Sequence, residues 1–590
     1  MRKIVDYDDI IYKIFCEMKE VEQLYFITAD DEDDKIIFDE YFEIEKHIVH
    51  SVLDRLEVDK AYLYATLKTI AAQNKACIIL HTHPRQMRCD LKASYYDELF
   101  FESVNSLWLE FGNEKPIVFG ILGQENVIFN VYKNGMITDG ELVTRYDNFD
   151  ADAWDLKALV GNELDYGVVC HRKTGTLAKV NTEKLLLLKK WIDEYEKGEL
   201  SQINNLAYKK FIADNFDFSQ KLRMASDSSY RRTGVINNLQ FMIQLGCNLR
   251  CKYCYAHDGT YDYGKNWIID VETGKRIVDS LIKNGIHTIH KVTFFGGEPS
   301  LFPDTINAIC EYVEKLQENK LLNNDIQFFM VTNCTYMPDD LIKTIKKYNI
   351  RLTISLDGNP IVNDQLRVHA NGSGTYENVI TNIKRMRDAE VEPVMIEATY
   401  TCIHEKEKVS RAEVKKELER LTGIKSVLLV DCEGEYAPKT EEVIQNDNET
   451  EDILELYTLG KICMQMETKG FINDVYCSAG HHDMAILANG EVYPCHRFVS
   501  DKATCLGNVF IDDTEIGTLD VCNKQNNDKC KKCWAINYCK RCNWRVQNQQ
   551  ESYECEQYLS ELEEKILKII NLSNDEKLEF KEQIANATYK

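Results

Sequence analysis

The feature that most constrains the fold is an alternation of short apolar runs with amphipathic stretches between residues 239 and 431. Runs rich in β-branched and aromatic residues predict strands, and apolar spacings of three to four residues predict helices. The predicted strands are 239–245, 291–295, 327–332, 351–355, 394–401 and 426–431, and the predicted helices are about 270–284, 304–318, 339–347, 376–389 and 409–421. Such β/α units indicate a parallel sheet with right-handed crossovers. Because a closed barrel of this kind needs eight units, we predict a partial (β/α)6 barrel with one open side.

Three cysteines follow the first predicted strand at C-x3-C-x2-C spacing. Cys247, Cys251 and Cys254 lie in the run Leu245-Gly-Cys-Asn-Leu-Arg-Cys-Lys-Tyr-Cys254. Three thiolates this close together can hold three irons of a cubane cluster and leave the fourth iron without a protein ligand. The alternative is a zinc knuckle, which needs a fourth Cys or His nearby, and His257 stands at the wrong offset for that role.

The triplet, with Tyr253 before its last cysteine, resembles the signature of radical S-adenosylmethionine (SAM) enzymes. Downstream, Phe294-Phe-Gly-Gly-Glu-Pro299 ends an apolar strand, and its glycines let the backbone pass close to a ligand. The resemblance implies that SAM binds the open iron of a 4Fe–4S cluster and that Glu298 holds its amino group. It also implies further cofactor-binding residues, namely Tyr253, Gly296, Gly297, Asn333, Ser355, Asp357 and Arg367. Taken singly, Gly-Gly-Glu-Pro could be an ordinary turn and the other positions strand-end caps.

The chain contains 21 cysteines, and a second field of nine lies between Cys477 and Cys555. The charged start of the sequence lacks the apolar core of a secretory signal, and no run of 18 apolar residues predicts a membrane span. We therefore expect a cytoplasmic protein without a membrane partner. In that compartment clustered cysteines bind metals more often than they form disulfides.

The spacing within this second field resembles the SPASM domain, an extension of peptide-modifying radical enzymes that carries two auxiliary iron–sulfur clusters. The resemblance implies one 4Fe–4S cluster on Cys530, Cys533, Cys539 and Cys555, and a second on Cys477, Cys495 and Cys542. The fourth ligand of the latter is open. Asp483 stands near the place where the family often has a cysteine, Cys505 or Cys522 could substitute, or one iron could stay free for a substrate thiolate. The alternative is a treble-clef-like zinc module, which accounts for only four of these cysteines.

Residues 1–145 carry different chemistry. An apolar strand from Ala76 to Leu80 ends in His81-Thr-His83-Pro, and Ser94-Tyr-Tyr-Asp97 follows. Two histidines at i and i+2 with a downstream aspartate suit zinc with one position left for water. The arrangement resembles the JAMM (JAB) isopeptidases.

That resemblance implies zinc on His81, His83 and Asp97, and catalytic roles for Ser94 and for an upstream glutamate base. Glu22 is the first candidate for the base and Glu20 the second. The interval between His83 and Asp97 is longer than is usual in that family. A working site and a lost one therefore both stay open.

A chain of 590 residues should hold three or four domains and additional segments. We predict a JAMM/JAB-like domain, a winged-helix peptide-recognition element or plain connecting subdomain with a linker, a radical SAM partial TIM barrel, a SPASM domain and a tail. Their bounds are 1–145, 146–230, 231–450, 451–570 and 571–590. Within the second segment, the sequence predicts a hairpin over Tyr166–Val180 and helices over Thr182–Lys197 and Leu200–Asn215.

The net charge of −25 argues against a nucleic-acid partner and favours a substrate or leader with some positive charge. The resemblances imply a radical SAM maturase that modifies a ribosomally made, Cys-containing precursor peptide and takes electrons from a reductant such as flavodoxin or ferredoxin. Thioether cross-linking is the first interpretation and carbon–carbon cross-linking the second. One alternative is an enzyme like the anaerobic sulfatase maturases. The other is a zinc isopeptidase in which the cluster region is a redox scaffold.

Overall fold

The computed structural model describes the whole chain except residues 20–21, 45–47, 53–54, 85–90, 92, 94, 149–154, 161–164, 217–222, 225–232, 264–266, 440–452, 468–470, 512–515, 519–522, 549–550 and 579–590. Two of the predicted candidates, Ser94 and Glu20, and the cysteine Cys522 therefore lie outside the described residues. The chain divides into two compact units, Met1–Lys221 and Leu222–Lys590. No helix in the described part is long and apolar enough to cross a membrane.

The first unit is built on a closed barrel of strands in the order β1-β3-β2-β6-β7-β8-β9, with β4 and β5 as a separate hairpin. The strands are β1 Arg2–Asp6, β2 Leu24–Glu32, β3 Lys35–Glu43, β4 Ile48–Val52, β5 Arg55–Val58, β6 Ala76–Thr82, β7 Ile117–Leu122, β8 Val127–Lys133 and β9 Met136–Thr144. The helices are α1 Ile10–Glu17, α2 Lys60–Ala72 and α3 Tyr95–Glu110. The predicted strand that precedes the histidine pair is confirmed as β6, which pairs with β2 and β7.

A three-stranded antiparallel sheet and two helices complete this unit. They are β10 Leu156–Val160, β11 Tyr166–His171, β12 Leu177–Asn181, α4 Thr182–Lys197 and α5 Gln202–Asn215. The predicted hairpin and both predicted helices are thereby confirmed. Buried side chains of α4 and α5, such as Leu188 and Ile212, belong to the same apolar core as Tyr25 and Ile78 of the barrel. The JAB likeness, the winged-helix role and the boundary at residue 145 stay predictions.

The second unit contains a nine-stranded sheet in the order β19-β18-β17-β16-β15-β14-β21-β22-β23, and a small pair, β13 with β20. The strands are β13 Arg223–Met224, β14 Val235–Gln244, β15 Thr288–Gly296, β16 Gln327–Thr332, β17 Arg351–Ser355, β18 Met395–Tyr400, β19 Val427–Asp431, β20 Phe471–Ile472, β21 Asp483–Ile486, β22 Glu491–Tyr493 and β23 Gly507–Asn508. All neighbours from β14 to β19 pair in parallel. The six parallel strands predicted for a partial barrel are confirmed.

Helices follow most of the parallel strands, and others lie in and beyond the second cysteine field. They are α6 Val271–Lys283, α7 Pro303–Glu318, α8 Asp339–Tyr348, α9 Pro360–Leu366, α10 Tyr376–Asp388, α11 Cys402–Lys406, α12 Arg411–Thr422, α13 Ile453–Glu467, α14 Asp528–Lys531, α15 Asn543–Asn548 and α16 Glu551–Ile570. Local sequence sets their starts: Asp270 caps α6, and Ser410 with Glu413 forms a capping box at α12. An apolar core between helices and sheet includes Phe241 and Leu352.

The first barrel strand is not a sheet edge. β21, which lies in the second cysteine field, pairs in parallel with β14 and sets Asp483 beside Asn238. β22 and β23 then continue the sheet in antiparallel fashion. One edge of the six-stranded sheet is therefore extended by the part of the chain that carries the second set of cysteines.

Candidate functional sites

A cavity of about 630 Å³ lies at the carboxyl ends of the parallel strands, beside the predicted cofactor-binding residues. Its walls include all three cysteines of the triplet, Cys247, Cys251 and Cys254. They also include seven of the eight predicted cofactor-binding residues, which are Tyr253, Gly296, Gly297, Glu298, Asn333, Ser355 and Arg367. Residues at or just after the carboxyl ends of all six parallel strands thus meet around one space, as expected for the chemistry-bearing end of an α/β barrel.

Backbone contacts hold the cysteine loop in place. The amide of Arg250 donates to the carbonyl of Val368 at 2.7 Å, and the amide of Lys252 donates to Leu366 at 3.0 Å. The amide of Leu249 donates to Cys247 Sγ at 3.4 Å. The three thiols are half-buried and face the cavity. The loop therefore presents three sulfur ligands at the wall of this cavity.

Two glycines let a second loop approach this cysteine loop. Gly296 has a φ of 127°, a conformation that side chains rarely allow. At Gly297, a Cβ atom would lie 1.8 Å from the carbonyl oxygen of Gly246, the residue before Cys247. Any other residue at Gly297 would push the two loops apart, so the predicted close backbone approach has a direct steric reason.

Glu298 is a buried carboxylate held by three donors. Its Oε1 accepts from the amide of Ser300 at 3.0 Å and from Thr332 Oγ1 at 2.6 Å, and its Oε2 accepts from the amide of Asn333 at 2.7 Å. Burial raises the pKa of Glu298, and these hydrogen bonds oppose that shift. The result is a carboxylate of fixed orientation at the cavity wall, which suits a cationic ligand group.

Asp357, the eighth predicted cofactor residue, does not line the cavity and is fully buried behind it. Its Oδ2 accepts from the Tyr253 hydroxyl at 2.5 Å, and its Oδ1 accepts from the amide of Thr399 at 3.0 Å. Arg367 in turn donates to the Tyr253 oxygen at 2.6 Å. Asp357 therefore positions Tyr253 and Arg367, which do face the cavity.

The lining of this cavity also includes charged side chains that the sequence patterns did not predict. Arg497 donates to both carboxylate oxygens of Glu433 at 3.0 and 3.1 Å, and Arg545 donates to the same carboxylate at 2.6 Å. Lys291 and Glu397 also line the space. The sequence did contain a signal for Lys291 and Glu397, because each is a charged residue within a mostly apolar predicted strand.

Comparisons with known proteins identify the part of the chain that supplies much of this cavity lining. The radical SAM superfamily matches residues 241–408. The chain is 25% identical over 320 residues to the cysteine-type anaerobic sulfatase-maturating enzyme of Clostridium novyi, a match that covers 50% of this chain and 82% of the relative. Residues 241–408 are a radical SAM domain. A domain of this family implies a SAM-binding 4Fe–4S cluster.

Solved structures resemble the chain less closely. A sulfatase-maturating enzyme with bound AdoMet aligns with 57% of this chain and 98% of its own, at 21% identity and a TM-score of 0.45. Streptococcus suis SuiB bound to the precursor peptide SuiA aligns with 67% of this chain and 97% of its own, at 15% identity and a TM-score of 0.36.

Beyond the radical SAM domain, four of the predicted auxiliary ligands surround a small cavity of about 50 Å³. They are Cys530, Cys533, Cys539 and Cys555. Arg541 donates to Cys555 Sγ at 2.9 Å. The fully buried Lys524 donates to three carbonyls, those of Asn473, Ile536 and Cys539, at 2.6–2.8 Å. Burial lowers the pKa of Lys524 to about 8, and the nearby thiols Cys539 and Cys530 oppose that shift.

The other predicted auxiliary set is also brought together. Backbone amides of Ala479 and Asn543 hydrogen-bond to the Cys477 thiol, which ties it to the residue after Cys542. Burial raises the pKa of Cys495 to about 12, and Cys477, Cys542 and Asp483 add to that shift. Cys505 donates its thiol to the carbonyl of Gly507 at 3.4 Å.

In the first unit, the structure gathers Glu22, His81, His83 and Asp97, all of them buried. His81 Nε2 lies 3.1 Å from Glu22 Oε2, and His81 Nδ1 lies 2.8 Å from Asp97 Oδ1. Burial lowers the pKa of His81, but hydrogen bonds to Asp97 and Glu22 outweigh it and raise the pKa to about 9. His83 Nε2 lies 3.3 Å from Asp97 Oδ2, yet neither ring nitrogen of His83 makes a hydrogen bond within the described residues.

This geometry adds a candidate to the predicted ligand set. Among the described residues, one group of three ligand side chains has its donor atoms within 4.8 Å of one another, and it consists of Glu22, His81 and His83. Asp97 lies 3.3 Å from His83 Nε2, closer than Glu22 at 3.9 Å, so the predicted set of His81, His83 and Asp97 stays a prediction. Asp97 approaches the opposite nitrogen of His81, as a carboxylate that orients a metal-bound histidine does.

Proposed function

We propose that this protein is a radical SAM maturase that cross-links a ribosomally synthesised precursor peptide in the cytoplasm. The observation that carries the proposal is the composition of one cavity. Its lining includes the cysteine triplet and Glu298 together with Arg497, Arg545 and Glu433. A cofactor and a substrate segment would therefore share one cavity, of a volume ordinary for ligand sites.

Cys247, Cys251 and Cys254 would hold a 4Fe–4S cluster that, when bound and reduced, supplies the electron for cleaving SAM to a 5′-deoxyadenosyl radical. Glu298 would pair with the cofactor's amino group, and Asn333, Ser355 and Arg367 would contact its sugar and carboxylate. The Asp357–Tyr253–Arg367 chain of hydrogen bonds would keep Arg367 in place. The protein's part is orientation, because the cofactor carries the difficult chemistry.

The charged side chains of the cavity lining support a peptide as the substrate. Arginine forks paired with Glu433, together with Lys291 and Glu397, offer donors and acceptors suited to a polar chain. The name of the Clostridium novyi relative describes an enzyme that matures another protein. That name also keeps an enzyme like a sulfatase maturase as the alternative. We place a precursor peptide first because half of this chain lies outside that match.

Thioether formation is the first proposed reaction and carbon–carbon formation the second. In the thioether case, a cysteine sulfur of the peptide bonds to a peptide carbon. For balance, the carbon would give its hydrogen atom to the radical that SAM cleavage supplies, the thiol would lose its proton to solvent, and an auxiliary cluster would take up the remaining electron. An external reductant such as flavodoxin or ferredoxin would supply the electron for SAM cleavage.

Thiol spacing supports clusters over single zinc ions at the cysteine sites. Four thiolates around one zinc, at about 2.3 Å each, lie about 3.8 Å apart. No three cysteines among the described residues meet even the 4.8 Å limit. The described thiols are therefore not arranged around a single zinc ion.

The test is to incubate anaerobically reconstituted enzyme with SAM, dithionite and a candidate Cys-containing precursor peptide. Mass spectrometry should find the loss of two hydrogen atoms per cross-link, together with 5′-deoxyadenosine. A matched peptide with Ser for each Cys separates the two reactions, because only carbon–carbon cross-linking would survive. Modification of a sulfatase-derived cysteine peptide, but of no precursor peptide, would favour the alternative.

The Glu22, His81 and His83 group favours a second function, a zinc-dependent hydrolase in the first unit. The set fits zinc because it offers borderline and hard ligands within 4.8 Å and leaves His83 nitrogens without hydrogen bonds among the described residues. Bound zinc would supply an activated water for hydrolysis of a peptide or isopeptide bond. Metal analysis of the full chain, followed by assay of the modified peptide for cleavage, tests this. A metal-free but folded first unit would contradict it.

A further inference from the structure

We infer that Asp483 is the fourth protein ligand of the iron–sulfur cluster held by Cys477, Cys495 and Cys542. The inference rests on the auxiliary clusters of the proposed function. It selects one residue among the candidates that the sequence leaves open for this position, and it assigns a carboxylate to an iron.

A tight turn brings Asp483 back beside Cys477. The amides of His481, His482 and Asp483 all donate to the carbonyl of Ser478, at 2.9–3.0 Å. The amide of Gly480 donates to the carbonyl of Asp483 at 3.0 Å, and Gly480 has a φ of 75°. Asp483 then begins β21 and is fixed by pairing with Asn238 of the barrel. Its position next to the first cysteine is therefore set by backbone structure.

The carboxylate of Asp483 is only half satisfied. Its Oδ2 accepts from the Ser478 hydroxyl at 2.5 Å. Its Oδ1 is buried and has no hydrogen-bond partner of good geometry among the described residues, although the backbone amide of Asn238 approaches the carboxylate. A buried, poorly satisfied carboxylate oxygen carries a desolvation cost. Coordination to an iron would remove that cost and give the oxygen a partner.

The charges around Asp483 point the same way. The thiols of Cys477 and Cys495 both interact electrostatically with its carboxylate. The carboxylate therefore lies near these thiols in the same buried place, where the ligands of one cluster would have to converge.

Among the described cysteines that could take the fourth position, Cys505 fits less well than Asp483, because it already donates its thiol to the carbonyl of Gly507. Cys522 lies outside the described residues. Lys291, on the strand beyond Asn238, interacts electrostatically with Asp483, but the described residues include no ion pair between the two within 4.0 Å.

The chemical consequence concerns the substrate. With Asp483 bound, all four irons of this cluster have protein ligands, so a substrate thiolate has no open iron to occupy there. The cluster would then accept or relay the electron left after bond formation. Replacement of a thiolate by a non-thiolate ligand also changes the reduction potential of an iron–sulfur centre.

The experiment uses full-length protein in which Cys247, Cys251 and Cys254 are all alanine, so that only the auxiliary clusters remain. Mössbauer spectroscopy of this ⁵⁷Fe-loaded protein should show one distinct iron site with a harder ligand among about eight irons, at about four per cubane. Asp483→Cys should abolish that distinct site and keep the iron content. Asp483→Asn should alter the site or lose about one iron per chain. Asp528→Asn, an exposed aspartate near Cys530, is the matched control and should change nothing.

A distinct site that is unchanged in both Asp483→Cys and Asp483→Asn would overturn the inference, since its ligand would then be something else. Absence of any distinct site, or of auxiliary iron, in the parent protein would overturn it too. The proposed function fails separately, through absence of 5′-deoxyadenosine formation by the native enzyme. Each failure is therefore read from a different measurement on a different protein.

Discussion

The two units of the chain each contain a buried group of metal-ligand side chains, and the two groups are built to different dimensions. In the first unit, Glu22, His81 and His83 bring their donor atoms within 4.8 Å of one another. In the second unit, cysteines line cavities of about 630 and 50 Å³. No three of the described cysteines have their sulfur atoms within 4.8 Å of one another.

Ligand spacing therefore distinguishes the compact group of the first unit from the described cysteines of the second. A lone zinc ion draws its ligands into a small tetrahedron, whereas the thiolates of a cubane stand at its outer corners. Residue type agrees with spacing, because thiolates favour iron–sulfur clusters and imidazole with carboxylate favours zinc. Substitutions in both units should show whether the two groups behave as differently as their dimensions indicate.

The largest effect is expected at the cysteine triplet. Replacing Cys247, Cys251 and Cys254 together by alanine should abolish 5′-deoxyadenosine formation, because no protein ligand would remain for the SAM-binding cluster. Iron on the auxiliary cysteines should stay. Cys16→Ala and Cys402→Ala, which do not line the cavity, are the controls and should keep full activity. Cofactor cleavage at an undiminished rate by the triple variant would remove the basis of the radical assignment.

The second cysteine field should lose metal in whole clusters. With three 4Fe–4S clusters the native protein should contain roughly twelve irons per chain, and Cys530→Ala or Cys555→Ala should lose about four of them and much solubility. Colorimetric iron and sulfide analysis of anaerobically purified protein measures this. Cys505→Ala should keep the full count. Stoichiometric zinc in place of the auxiliary iron would favour the zinc-module interpretation.

In the first unit, we expect zinc affinity to respond more strongly to Glu22 than to Asp97. Glu22→Gln should remove a ligand and abolish stoichiometric zinc, whereas Asp97→Asn should weaken binding by roughly 10- to 100-fold, as loss of an orienting carboxylate does. Zinc titration against a competing chelator gives both values, with Glu17→Gln, an exposed glutamate, as control. The reverse order would restore the ligand set predicted from the sequence.

At the cofactor wall, Glu298→Gln should weaken SAM binding by roughly 10- to 100-fold. The substitution neutralises the carboxylate proposed to pair with the cofactor's ammonium group, and a hydrogen bond to a charged group contributes about 1.5–3 kcal/mol. Equilibrium binding of SAM to the reconstituted protein measures the change. Glu311→Gln on the exposed side of α7 should leave it unaltered. Equal affinity in Glu298→Gln would separate this residue from the cofactor.

The smallest effect is expected at Tyr253. Tyr253→Phe removes the hydroxyl that links Asp357 to Arg367, and the loss of about 1 kcal/mol should lower SAM affinity roughly fivefold. The iron content should not change, because the hydroxyl touches no cysteine in these contacts. A loss of iron in this variant would instead give Tyr253 a part in holding the cysteine loop.

The sequence predicted the repeating parts of the second unit well, because strand and helix patterns are local. The predicted strand 327–332 coincides with β16, and the helix predicted at 304–318 begins one residue earlier as α7. Motif residues at strand ends were also found, since a parallel sheet brings such ends together.

The rest depends on packing between distant segments. Arg497 and Arg545 reach the cavity only because β21 extends the barrel sheet and carries the second cysteine field to it. Asp357 follows a strand end, as the other predicted cofactor-binding residues do, yet its side chain is fully buried and does not line the cavity. The approach of Glu22 and Asp97 to opposite nitrogens of His81 likewise depends on how distant segments pack. None of these facts is visible in spacing alone.

Electron paramagnetic resonance of the reduced protein, with and without SAM, decides whether the triplet site binds SAM at an open iron. We expect SAM to change the signal of one cluster in the native enzyme. No such change should occur in the protein that lacks Cys247, Cys251 and Cys254. A native spectrum that saturating SAM leaves unaltered, with all iron present, would contradict the assignment of this site.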